Sequence, residues 1–131
     1  MELSVRHCLI ADDNAFDLRH SASVVSRLWP DAQVDEATNL NGIRAGLSQP
    51  TLDLAVLDND LGDSTTLDVV SHYLDSPAAR RPILIMVSGN QNPLLPEVAI
   101  RTGFDGFVSK DEFSCRTLSA VFESTVWSRQ K

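Results

Sequence analysis

Apolar positions along the chain alternate between two textures. Short, almost unbroken apolar runs lie at residues 5–10, 52–57 and 83–87, with a weaker run at 106–108. A thinner candidate at 33–37 has Val34 as its one clear apolar residue before Ala37. Near-continuous apolarity is what a strand buried on both faces requires, so these runs predict strands of a parallel sheet. Between them, apolar residues recur at helical spacing. Leu18, Ala22, Val25 and Trp29 form one stripe, which Pro30 stops. Asn14 is placed to cap this helix, with Asp17 in its electropositive first turn. Leu40, Ile43 and Leu47 make a second stripe, and Leu67, Val70 and Leu74 a third. Val98 and Ala99 anchor a short fourth helix, restricted at its start by Pro93 and Pro96 and ended by Gly103. Leu118, Val121, Phe122 and Thr125 define the fifth. Strand–helix alternation with right-handed crossovers predicts an α/β fold, (βα)5, with helices on both faces of a doubly wound five-stranded parallel sheet.

Composition narrows what this fold does. Residues 1–131 amount to a single domain, and a chain of this length buries enough surface to fold without disulfides or a structural metal. Eleven Lys and Arg against 18 Asp and Glu give a net charge of −7, which repels nucleic acid phosphates and anionic lipid. Neither nucleic acid nor membrane is therefore expected as a direct partner. Cys8 and Cys115 lie far apart and are not spaced as metal ligands, as in a cytosolic protein with reduced thiols. No apolar run approaches the ~18 residues of a membrane span, and no signal-peptide pattern opens the chain. The expectation is a cytoplasmic domain.

Candidate chemistry follows from where polar residues fall relative to the strands. An open parallel sheet binds ligands beyond its carboxyl edge, at the point where strand order reverses. The first run leads into Asp12-Asp13, the third strand into Asp58-Asn59-Asp60, the fourth into Ser88-Gly89-Asn90 and the fifth into Ser109-Lys110-Asp111. Crowding Asp12, Asp13 and Asp58 into one crevice costs stability unless a cation compensates. An oxygen-only ligand set favours Mg²⁺. A carboxylate beside Mg²⁺ can attack a phosphoryl group, and the transferring group needs cationic and hydrogen-bonding partners for its equatorial oxygens. Lys110 and the Ser88 hydroxyl supply them, and Gly89 leaves room for the group to enter.

These residues make the chain resemble a response-regulator receiver domain of two-component signalling, a CheY-like, flavodoxin-like (βα)5 domain. The resemblance rests on Asp12-Asp13, on Asp58 in Val56-Leu57-Asp58, on Ser88 in Val87-Ser88-Gly89, and on Lys110 in Phe107-Val108-Ser109-Lys110. Separations of 45, 30 and 22 residues between Asp13, Asp58, Ser88 and Lys110 fit it, over essentially the whole chain. It implies that Asp58 accepts a phosphoryl group from a histidine kinase or histidine phosphotransfer protein. It implies Mg²⁺ held by the Asp13 and Asp58 carboxylates, by the Asp60 main-chain carbonyl, and by Asp12 mostly through water. Ser88 and Lys110 would bind phosphoryl oxygens, and Phe107 matches an aromatic switch position. Such a domain is a phosphoacceptor that catalyses its own phosphorylation and dephosphorylation, not a turnover enzyme on external substrates.

Some positions depart from the pattern. Asp111 stands where a proline often follows the lysine, and Gly62, followed by Asp63-Ser64, where one usually follows the acceptor loop. Asn59-Asp60 adds a carboxylate beside the site, and Pro93 and Pro96 stiffen the loop where the family transmits its signal. Two other readings compete. Asp58-Asn59-Asp60 resembles the DxD of haloacid-dehalogenase-type phosphatases, but Gly62 replaces their usual Thr and Asp12-Asp13 precede the lysine instead of following it. A pseudo-receiver that binds a partner without phosphorylation would be expected to lack acceptor-site residue types, and all are present. No basic helix follows the fifth helix, which argues for a stand-alone receiver acting on a downstream protein. Trp127, opposite Leu118 on the helical wheel, is an expected aromatic anchor for that target or for a homodimer.

Overall fold

The computed structural model describes residues 4–61, 64–76 and 80–130. Its elements run β1 (His7–Ala11), α1 (Ala15–Leu28), β2 (Gln33–Ala37), α2 (Leu40–Leu47), β3 (Leu54–Asp58), β4 (Asp60–Leu61), β5 (Ser64–Thr65), α3 (Thr66–Asp75), β6 (Ile83–Ser88), α4 (Leu95–Thr102), β7 (Gly106–Ser109), a 3₁₀ turn (Lys110–Glu112) and α5 (Cys115–Arg129). Five strands pair in parallel in the order β2-β1-β3-β6-β7, the predicted architecture. The antiparallel β4–β5 ribbon, two residues a side, was not foreseen from the apolar pattern.

Alternation of side chains along each strand divides the core in two. Cys8 and Ile10 of β1, Leu54 and Val56 of β3, and Ile85 and Val87 of β6 face α1 and α5, whose Val25, Leu118 and Phe122 cover them. Leu9, Ala55, Leu57, Leu84 and Met86 face the other way, beneath Ile43, Val70 and Ala99 of α2, α3 and α4. The runs at 5–10 and 52–57 extend before their strands because Val5 and Leu52 are buried without joining the ladder.

The helix starts follow local chemistry. Asn14 caps α1 by accepting the Asp17 N–H, Asn39 caps α2 by accepting the Gly42 N–H, and Ser114 and Thr117 form a reciprocal capping box on α5. In α4 the expected anchor Val98 is instead 42% exposed. The helix opens at Leu95-Pro96, so Leu95 and Ala99, one turn apart, set its buried face and leave Val98 at the edge. Val121 of α5 is only half-buried, while Leu118, Phe122, Thr125 and Val126 are buried. Trp127 lies on the outer side of α5 and is 63% exposed. Among the described residues no helix is long and apolar enough to cross a membrane.

Gly103 ends α4 with φ 126°, a conformation a side chain resists. A Cβ there would also stand 2.3 Å from Leu74 Cδ1 of α3. Strain and clash act together, so Gly103→Ala is expected to lower unfolding free energy by about 1–3 kcal/mol in urea melts. An unchanged midpoint would contradict this account of the α4 terminus.

Candidate functional site

The strand order reverses between β1 and β3, since β2 lies outside one and β6 outside the other. The crevice is therefore expected where these two strands end. Asp12 follows β1, Asp58 is the last residue of β3, Ser88 the last of β6, and Lys110 follows β7. The sheet thus delivers four separate segments to one edge.

Carboxylate oxygens from Asp12, Asp13 and Asp58 lie within 4.8 Å of one another. Asp12 and Asp58 are each 4% exposed, while Asp13 faces solvent. Lys110 Nζ stands 2.8 Å from Asp12 Oδ2, 2.8 Å from Asp17 Oδ2 and 3.4 Å from Asp58 Oδ2. One ammonium thus joins β1, α1 and β3 at a point where carboxylates outnumber it.

The loop after Asp58 is held by contacts to backbone. The Asp60 N–H donates to Asp58 Oδ1 at 3.4 Å, a long bond. Thr66, fully buried at the start of α3, donates its hydroxyl to the Asp58 carbonyl, and its N–H donates to the Asn59 carbonyl at 2.9 Å. Asn59 is buried too. Its Nδ2 reaches the Asp60 carboxylate at 3.4 Å, while its Oδ1 has no partner among the described residues. Gly62, expected where a loop proline is usual, and Asp63 lie outside the described residues.

Ser88 is buried, and its Oγ accepts the Asn90 N–H at 3.0 Å. It stands one step beyond Val87, the β6 partner of Asp58, and opposite Ser109 on β7. A Cβ on neighbouring Gly89 would meet only the Lys110 stem, at 3.7 Å, an ordinary contact, so the space beside the lysine is uncrowded. Phe107 is half-buried, pairs with Met86 across the ladder and packs on the α2–α4 side of the sheet. Asp12, Asp13 and Asp58 are thus brought together, with Lys110 on Asp12 and Asp58. Ser88 ends the strand beside that of Asp58, Asp60 follows Asp58 in the chain, and Phe107 lies on the neighbouring β7.

Two participants were missed at the sequence level. Asp17 was assigned only the first turn of α1, yet it binds Lys110 across 93 positions. Thr66 carried no motif; its burial against the Asp58 and Asn59 carbonyls is a consequence of the fold.

The electrostatics follow the packing. Burial pushes the Asp58 carboxyl up to about 6, and the neighbouring Asp12 charge adds to it, against the pull of Lys110 and the Asp60 N–H. Burial alone would lower the Lys110 pKa, but its bonds to Asp12 and Asp17 and the charge of Asp58 outweigh that and raise it. Lys110 thus remains an ammonium wherever the protein is folded. A compact set of carboxylate oxygens with no nitrogen or sulfur donor suits a hard divalent cation such as Mg²⁺.

No family model and no curated protein matches the sequence. Solved structures do match by shape. A CheY-like response regulator receiver domain from Methanospirillum hungatei superposes with a TM-score of 0.77 at 19% identity, over 97% of this chain and 98% of that one. The signal receiver domain of a DNA-binding response regulator from Colwellia psychrerythraea gives 0.80 at 17% identity, over 92% and 98%. A chain of the CheX–CheY–BeF3–Mg²⁺ complex from Borrelia burgdorferi gives 0.78 at 16% identity, over 92% and 89%. The chain has the fold of CheY-like receiver domains.

A carboxyl whose pKa is raised on folding favours the folded state at low pH. That contribution is full below the unfolded value near 4 and is lost as pH rises through about 6. Asp58→Asn removes the charge, so in EDTA its stability should equal that of wild type near pH 4 and exceed it at pH 7 by on the order of 1–3 kcal/mol. Chemical melts across this range would show a constant gap if Asp58 were not electrostatically strained.

Proposed function

We propose that this chain is a two-component receiver in which Asp58 accepts a phosphoryl group from a phosphohistidine of a histidine kinase or histidine phosphotransfer protein. The observation that carries the reading is the placement of a buried, electrostatically strained carboxylate at the strand-order switch, with an ammonium beside it and two further carboxylates around it. An Asp58 carboxylate oxygen attacks phosphorus in line, the donor P–N bond breaks, and the departing imidazole takes up a proton. An acyl phosphate is left on Asp58. Hydrolysis reverses the state: water attacks phosphorus, the P–O bond to Asp58 breaks, and carboxylate and inorganic phosphate result.

The residues divide this work. A carboxyl titrating near 6 is ionised at neutral pH yet poorly solvated, which suits a nucleophile. Lys110 offers its ammonium to the phosphoryl oxygens. Ser88, whose Oγ accepts the Asn90 N–H, retains its own O–H to donate to another of these oxygens. Thr66 holds the Asp58 carbonyl and fixes the backbone from which the nucleophile projects. The Asp12, Asp13 and Asp58 carboxylates and the Asp60 main-chain carbonyl would hold Mg²⁺, which supplies positive charge against the phosphoryl oxygens.

Drawing Ser88 toward a phosphoryl group would shift the β6–α4 loop, and Phe107 on the adjacent strand would repack behind it. Leu94, Val98 and Ile100 are exposed around α4, and Trp127 on α5. They are the apolar surface through which a downstream protein target, or a second copy of the chain, would read the change. In this reading the receiver acts on proteins and catalyses only its own modification.

With acetyl phosphate and Mg²⁺, intact-mass measurement should show one added phosphoryl group on wild type and none on Asp58→Asn. Lys110→Ala should gain it more slowly, by roughly tenfold or more. Equal labelling of Asp58→Asn and wild type would assign the chemistry elsewhere.

A further inference from the structure

The Lys110 ammonium has three N–H donors, and its close partners are Asp12 at 2.8 Å, Asp17 at 2.8 Å and Asp58 at 3.4 Å. Asp12 and Asp58 belong to the carboxylate cluster and Asp17 does not. Among the described residues the Asp17 carboxylate pairs with the lysine and takes no part in the cluster. Asn14 secures its position by accepting the Asp17 N–H at 3.0 Å, which locks the first turn of α1 over the crevice. The side chains of Lys110 and Asp17 are 24% and 35% exposed, so the pair is shielded from solvent on one side and open on the other. Any phosphoryl oxygen that takes the ammonium must displace one of its carboxylate partners. Of the three, Asp17 alone lies outside the acid cluster, and its side chain is exposed enough for water to replace its bond.

We propose that Asp17 is a positioning residue that holds Lys110 in its resting place and competes with the phosphoryl group on Asp58 for the same ammonium. This deepens the receiver reading and rests on it. Asp17 thereby sets how readily the site enters its phosphorylated state and how long it stays there. Removing its charge frees one donor of Lys110 without touching the nucleophile or the carboxylate cluster. The effect should match what a half-exposed ion pair contributes, about fivefold in an equilibrium constant.

Beryllofluoride in the presence of Mg²⁺, observed by ¹⁹F NMR on the full chain, reads this equilibrium without covalent chemistry. Asp17→Asn and Asp17→Ala should each bind it about fivefold more tightly than wild type, and Asp17→Glu should return toward wild type. Asp111→Asn removes an exposed charge next to Lys110 in sequence and should leave the affinity within about twofold. Raising salt to ~0.5 M should erase a long-range charge effect but leave the Asp17 effect in place. If Asp17→Asn and Asp111→Asn bind alike, or if salt removes their difference, the positioning role is overturned while the receiver reading stands. If wild type binds no beryllofluoride and all variants behave as it does, the receiver reading fails and the proposal with it.

Discussion

A single ammonium ties together parts of the chain that share nothing in sequence. Lys110, just past β7, reaches Asp12 at the end of β1, Asp17 in the first turn of α1 and Asp58 at the end of β3. Without it, the parallel strands would deliver several carboxylates to one edge with nothing to offset their repulsion. Its charge is secured by the same neighbours it neutralises, which raise its pKa against the effect of burial. Yet it does not finish the task, because Asp58 still titrates near 6. The remaining strain leaves the site with a standing preference for further positive charge and for the protonated Asp58 carboxyl.

The rest of the fold serves that edge. Strands buried on both faces form a rigid platform, and their parallel direction places every carboxyl end on the same side. Two devices fix Asp58 within it: its ladder pairing with Val87, and the Thr66 hydroxyl on its carbonyl. The loop beyond β6 leads through exposed Leu94 into α4, whose Val98 and Ile100 are also exposed, so an apolar surface lies next in the chain to the strand that carries Ser88.

Most of this was legible in the sequence wherever one residue's local context decided its role. Unbroken apolar runs marked the central strands because both faces of β1, β3 and β6 are covered. The edge strand β2 gave a weaker signal because only Ala37 is fully buried. Asp12, Asp13, Asp58 and Lys110 were found because strand ends announce a parallel sheet's crevice. Val98 was misplaced because the phase of a two-turn helix is set by packing, and Leu95 took the core position. Asp17 was hidden for a different reason. A first-turn acid already has a sufficient explanation in the helix dipole, so nothing in the sequence asked for a partner 93 residues away. The Thr66 clamp likewise exists only once α3 folds against the end of β3.

In the proposed reading the phosphoryl group resides on Asp58. An acyl phosphate, unlike a carboxylate, is reduced by borohydride to the alcohol, so a phosphorylated aspartate is recorded permanently as homoserine. Peptide mass spectrometry after exposure to acetyl phosphate and Mg²⁺, followed by borohydride, should find homoserine at position 58 and at no other aspartate. Homoserine at Asp12, Asp13 or Asp17 with Asp58 intact, or none in a sample that has gained a phosphoryl group, would contradict the account.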